Sequence, residues 1–121
     1  MTLDAVPYPE NFSPEEGCAL QVTIRVAPGD VDAWFSAFRP VWEACVAEEE
    51  CTFWEMYRDP DDPGLLTWIE HWSKNPEWMV KHQLTKEYYA EYFKVTEAMF
   101  LQPREIRWLR RVSGYSAGKR E

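Results

Sequence analysis

Glycine is scarce in this chain, with five in 121 residues, and none sits in a Gly-rich phosphate loop. Nucleotide cofactors are therefore not expected. Histidine is scarcer still: His71 and His82 are the whole supply, with no HxH or HExxH spacing. No metal site is expected from such a set. The three cysteines, Cys18, Cys45 and Cys51, are an odd number without a CxxC pair. They read as free thiols, mostly buried, in a reducing compartment. No apolar run is long enough to span a bilayer. No positively charged start leads into an apolar stretch, so no signal peptide is expected. The expectation is a cytoplasmic protein with no membrane partner. Positive charge is also short: 13 Lys and Arg face 21 Asp and Glu, for a net charge of −8. Such a surface repels a phosphate backbone, so no nucleic acid is expected as a partner. Arg104, Arg107, Arg110 and Arg111 form the one basic cluster, and nearby acidic segments are expected to balance it.

What the chain has is aromatic surface: seven Trp, six Tyr and six Phe. That is enough for a core and for the wall of a cavity or a subunit interface. Residues 1–17 carry Pro7, Pro9, Pro14 and Gly17 and read as an extended arm. Tyr8 and Phe12 would be wasted in solvent, which favours docking of that arm. From Cys18 to Val26 the pattern alternates, with Leu20, Val22, Ile24 and Val26 on one face. Period two with β-branched residues predicts a strand. Pro28-Gly29 turns the chain and Asp30 is placed to cap a helix.

That helix runs from Val31 to about Glu48. Trp34, Phe38, Trp42 and Cys45 mark its apolar face, and Pro40 predicts a kink or a break. Strands follow at Cys51–Arg58 and Leu65–Trp72, joined by the acidic turn 59–64, which predicts a hairpin. Asn75 and Pro76 are a helix start, and the helix extends to about Phe100, in two pieces around residues 84–86. Trp78, His82, Tyr89, Phe93, Thr96 and Phe100 are assigned to one stripe. A last strand covers Arg104 to Val112, and 113–121 is a polar tail.

The order strand, helix, strand, strand, helix, strand predicts an α+β, ferredoxin-like βαββαβ domain over 18–112, with an antiparallel sheet and both helices on one face. Strands two and three are apolar on both faces, and two helices cover only one. A second copy of the chain is the simplest cover for the other, so a homodimer through the sheet face is expected.

Several segments carry a resemblance. Val26-Ala27-Pro28-Gly29-Asp30-Val31-Asp32-Ala33-Trp34-Phe35 resembles a strand-to-helix turn of the antibiotic biosynthesis monooxygenase (ABM) family, in the dimeric α+β barrel superfamily. Phe53-Trp54-Glu55-Met56-Tyr57-Arg58-Asp59, followed by Ile69-Glu70-His71-Trp72, resembles the central hairpin of that family with its Glu-x-Trp ending. His82 matches its usual histidine. The order and spacing of these segments over residues 18 to about 112 carry the likeness. The resemblance implies a dimer packed sheet to sheet and a pocket between each sheet and its helices. Some members oxidise anthrone- or quinol-type polyketides with molecular oxygen and no cofactor. Others degrade haem, isomerise, decarboxylate or have no known activity. Oxygenases of this kind often carry Asn where this chain has Trp68. The haem degraders carry Asn where Val22 stands and a His mid-helix where this chain has Tyr, which argues against haem chemistry.

Leu66, Trp68, Glu70 and Trp72 share one strand face, and the resemblance turns it toward the helices. With Trp78, His82, Tyr89 and Tyr92 looking back, and Val22 and Phe38 alongside, an aromatic cavity with a few polar groups is expected. Its fitting ligand is a flat aromatic small molecule. His82 is the expected base, since imidazole with a pKa of about 6.5 takes protons at neutral pH. Glu70 would orient the imidazole or a substrate hydroxyl, and its bland alternative is pairing with an arginine such as Arg110. Tyr89 or Tyr92 would donate to a developing oxyanion. Trp72, Trp68 and Trp78 would form the stacking wall. His71 falls on the opposite face, toward the expected interface. The leading expectation is a cofactor-free monooxygenase. The alternatives are a non-redox enzyme (isomerase, cyclase, dehydratase or decarboxylase) on a similar molecule, or a non-catalytic binding dimer.

Overall fold

The computed structural model describes residues 6–119. Four strands form one antiparallel sheet: β1 (Cys18–Arg25), β2 (Cys51–Arg58), β3 (Leu65–Trp72) and β4 (Glu105–Leu109), in the order β2-β3-β1-β4. This is the expected ferredoxin-like arrangement, and the β2–β3 hairpin is in place. β4 is shorter than the alternation over 104–112 suggests. It pairs with β1 only from Ala19↔Leu109 to Thr23↔Glu105. Arg110, next in this register, lies outside the strand and its side chain is held by the arm.

Alternation decides the faces. In β3, Leu66, Trp68, Glu70 and Trp72 are buried, and the residues between them are half-buried. Leu20, Val22 and Ile24 of β1 lie on the same inner face. Against it packs α1 (Val31–Ala47), which buries Val31, Trp34, Phe38, Val41 and Cys45. Burying one such aromatic removes on the order of 200 Å² from water, about 5 kcal/mol by transfer data. α1 runs through Pro40 without a break. Asp30 sits at its start, but its side chain makes no cap hydrogen bond, because Pro28–Asp30 already forms a 3₁₀ turn there. Gly64 is required at the hairpin end: a Cβ there would lie 2.0 Å from the Val26 carbonyl oxygen, where the Gly64 carbonyl accepts from the Val26 N–H at 2.9 Å.

The second helical segment is in pieces. Asn75 Oδ1 accepts from the Trp78 N–H at 2.9 Å and starts α2 (Pro76–Trp78), which passes into a π turn over Met79–Gln83. Residues 84–87 interrupt it, and α3 (Tyr88–Thr96) follows, ending in a 3₁₀ turn over Glu97–Met99. The buried residues of the first piece are Pro76, Met79, Val80, Gln83 and Leu84, a regular i, i+3, i+4 face. Trp78 and His82 are one position off that face. Projecting the α3 stripe back across the interruption loses the phase, which is why the single stripe Trp78–His82–Tyr89 does not exist.

The arm docks, as Tyr8 and Phe12 suggest. Within its described part the Pro7 carbonyl accepts from Trp108 Nε1 at 2.9 Å and the Asn11 carbonyl from Arg110 at 2.9 Å. Arg110 also pairs with Glu16 at 2.5 Å and lies 4.2 Å over the Phe12 ring. Within the basic cluster, Arg110 is thus balanced by an acid of the arm. Among the described residues no helix is long and apolar enough to cross a membrane.

Candidate active site

Between the inner sheet face and the helices lies a narrow cavity of about 50 Å³. Its walls include Leu20 and Val22 of β1, Trp54 of β2, Trp68 and Glu70 of β3, and Ile106 of β4. Phe38 of α1, Leu84, Tyr89, Tyr92, Phe93 and Arg104 close it from the helical side. Aromatic rings dominate the lining. Phe38 lies 5.0 Å from Trp68 and 5.3 Å from Tyr92, and Trp54 stacks on Trp68 at 6.1 Å and 17°.

One carboxylate enters this apolar space. Glu70 is 5% exposed, and both of its oxygens accept indole N–H groups: Trp68 Nε1 on Oε2 at 2.8 Å, Trp72 Nε1 on Oε1 at 2.7 Å. The three residues are spaced i, i+2, i+4 on one strand face, so the strand itself builds the clamp. Burial pushes the carboxyl up to about 7, and the two indole donors hold it back from going higher. A group poised there exchanges a proton near neutrality. The opposite face carries His71, half-buried with its ring 4.7 Å from Phe53.

The hydroxyls shift the same way, from a higher ordinary value. Burial pushes Tyr92 up to about 12 and Tyr89 well above the ordinary phenol. Both stay protonated at neutral pH and serve as hydrogen-bond groups. Tyr92 Oη accepts from Trp34 Nε1 at 3.1 Å. Tyr89 Oη lies 3.2 Å from Cys45 Sγ and accepts from Gln83 Nε2 at 2.9 Å. Gln83 Nε2 also reaches Tyr88 Oη at 2.6 Å, and Tyr88 donates to Glu48, which pairs with Lys86. A polar chain therefore runs from the cavity wall at Tyr89 to the surface. On the cavity's other flank the Arg104 guanidinium lies 4.6 Å over the Phe93 ring.

Comparisons with known proteins bear on the family and the fold. No family model matches the sequence. A protein of Pestalotiopsis microspora, provisionally named a monooxygenase, is 31% identical over 101 residues, covering 84% of each chain. The chain belongs to the antibiotic biosynthesis monooxygenase family. The ABM fold is shared with a protein from Caulobacter crescentus, provisionally named an antibiotic biosynthesis monooxygenase: TM-score 0.73, 16% identity, 86% of this chain and 97% of that one. A protein of the same provisional name from Nitrosomonas europaea gives TM-score 0.72 at 16% identity, over 87% and 98%.

Within this ABM chain the residues singled out from the sequence separate into two groups. Glu70, Tyr89, Trp68, Tyr92, Val22 and Phe38 line the cavity. His82, Trp72 and Trp78 do not. His82 is exposed, its ring 5.8 Å from that of half-buried Trp78, because it lies one position off the buried face that turns Gln83 inward. The expectation that His82 looks into the cavity is corrected by that register. Trp72 is fully buried behind Glu70, where it supplies an N–H. Glu70 does not pair with Arg110, which is held by the arm. Leu20, Trp54, Leu84, Phe93, Arg104 and Ile106 line the cavity without having been singled out. Leu20 shares the face of Val22, Ile106 pairs with Val22, and Trp54 pairs with Glu70, so strand register alone would have found them. The sequence marks Arg104 only as part of a basic cluster, not as a cavity residue. Among the described residues no cluster of three His, Cys, Asp or Glu is arranged to hold a metal ion.

Proposed function

We propose that this ABM protein is a cofactor-independent monooxygenase acting on a hydroxylated, polyketide-like aromatic of the anthrone or quinol type, with Glu70 as its base. The buried carboxylate poised near pH 7 in an aromatic cavity carries the reading. Glu70 removes a phenolic or benzylic proton. Arg104, also on the cavity wall, and the hydroxyl of Tyr89 or Tyr92 stabilise the resulting anion. Trp68 and Phe38 hold the ring. The electron-rich anion then reacts with dioxygen. For a benzylic methylene going to a carbonyl, both C–H bonds break and one oxygen atom enters the substrate. The other oxygen leaves with the two hydrogens as water.

The test is oxygen uptake by chelator-treated protein against anthrones, naphthols and hydroquinones. Uptake that rises with pH through about 7 and is lost in Glu70→Gln supports the reading. Product formed equally without oxygen would replace it with proton-transfer chemistry at the same base, and binding without turnover with a carrier.

We further infer a homodimer through the outer sheet face, where Phe53, Leu65, Ile69 and Leu109 stay half-buried and Tyr57 is 48% exposed. An Ile69→Lys variant that remains a dimer in light scattering would refute that interface.

A further inference from the structure

The cavity that holds Glu70 is too small for the molecule it is read to act on. About 50 Å³ admits a few waters, whereas binding sites for small organic molecules take on the order of 300 Å³ or more. Directly beside it, between α1 and the edge strand β2, lies an open groove of about 470 Å³. Two residues belong to both spaces: Phe38 and Trp54. The groove and the cavity are therefore separated by these two side chains, whose ring centroids are 6.1 Å apart.

Trp54 is the weaker part of that partition. It stands on a strand with one neighbour only, it is half-buried, and its indole N–H has a thioether, Met56 Sδ at 3.3 Å, as acceptor. A sulfur acceptor is weak, so turning this indole outward forfeits little hydrogen bonding. Phe38 is 4% exposed in the middle of α1 and has no comparable freedom. Behind Trp54 its stacking partner is Trp68, the residue that holds Glu70.

The groove also has a charge pattern. Its floor is Phe35, Trp42 and Met56. The Arg39 guanidinium sits 5.0 Å over the Trp42 ring, and Arg58 lies 5.6 Å over Phe35. The one acid in the lining, Glu55, accepts from Tyr57 Oη at 3.0 Å. On a chain of net charge −8, an aromatic trough flanked by two cations selects flat rings bearing an anionic group.

We propose that the groove and the cavity are two halves of one binding site for an aromatic molecule with an anionic substituent, divided by a movable Trp54. The distal ring lies on Trp42 with its anionic group at Arg39. The reacting ring reaches Glu70 as the Trp54 indole turns aside. This rests on the reading of Glu70 as base only for the chemistry at the inner end, and the binding geometry is testable without turnover.

The experiment measures anaerobic binding of 1-naphthol and 1-hydroxy-2-naphthoate by stopped-flow ligand fluorescence. It uses the wild-type chain and the Arg39→Gln, Trp54→Phe, Trp54→Ala and Glu70→Gln variants, with melting curves as the folding control. Arg39→Gln is expected to weaken the naphthoate about fivefold and the naphthol less than about twofold. Trp54→Ala is expected to raise the association rate of both probes about tenfold, with Trp54→Phe between. Equal effects of Arg39→Gln on the two probes, unchanged rates in both Trp54 variants, or no naphthoate binding by the wild type would each overturn the proposal. Failure of the base reading would appear elsewhere, as oxygen uptake that survives Glu70→Gln while these binding differences persist.

Discussion

Glu70 and Gln83 are both buried in this core, and they are treated in opposite ways. Glu70 is held by donors on its own strand face, Trp68 and Trp72. Gln83 is tied by Tyr88 through Glu48 to Lys86 at the rim. The first arrangement isolates a charge and makes it titrate near neutrality. The second spreads a neutral amide over several partners and fixes Tyr89 at the cavity wall. Isolation produces reactivity, and connection produces geometry.

The strongest test of that contrast is kinetic. Glu70→Gln keeps the shape but loses the base, and its single amide oxygen can accept from only one of the two indoles. Turnover should fall by about a thousandfold with unchanged far-UV circular dichroism. Next comes stability against pH. In the folded chain Glu70 holds its proton up to about 7, above the ordinary 4.5 of a free glutamate. The folded state thus binds more protons than the unfolded one between those values. Stability is full below 4.5 and declines as pH rises through 7, by about 3 kcal/mol from this group. Denaturant titrations of Glu70→Gln should lack that decline, and an equal decline in the variant would assign it to other groups.

Trp72→Phe should cost about 1–3 kcal/mol and move the acid limb of the rate profile to higher pH, because one of two charge-stabilising donors is gone. Gln83→Leu should cost a similar 1–3 kcal/mol or so but leave that limb in place. If both variants shift the limb equally, the two buried groups are one network and the contrast fails. The smallest effect belongs to His82→Ala: exposed and outside the cavity, it should change stability by less than about 0.5 kcal/mol and turnover by less than about twofold.

The sheet was legible in the sequence because period-two alternation survives any uncertainty about packing. The bounds of β2 and β3 follow directly from Cys51–Arg58 and Leu65–Trp72. The Glu70 face was legible for the same reason. What failed was phase on the helical side. A period of 3.6 can be projected only along an unbroken helix, and residues 84–87 break it. The buried face that starts at Pro76 puts Gln83 inside and His82 outside. A histidine attracts a catalytic reading through its ordinary pKa, whereas a glutamate becomes a base only through burial, which spacing does not report. In the sequence Arg104 reads as the start of the last strand and part of a basic cluster; it lies in the connection before β4, so strand alternation does not assign it to the cavity.

The docked arm has a kinetic consequence. Its anchors at Trp108 and Arg110 lie about a hundred residues downstream, and β4 itself must first pair with β1, the strand that begins where the arm ends. Contacts of such long sequence separation form late, since the intervening chain must already be compact. Pro7, Pro9 and Pro14 lower the entropy that the arm loses on seating. The arm then acts as a clasp that closes after both ends of the domain have met, so cutting or removing it should speed the opening of the β1–β4 edge while leaving the β2–β3 hairpin to fold at its own rate.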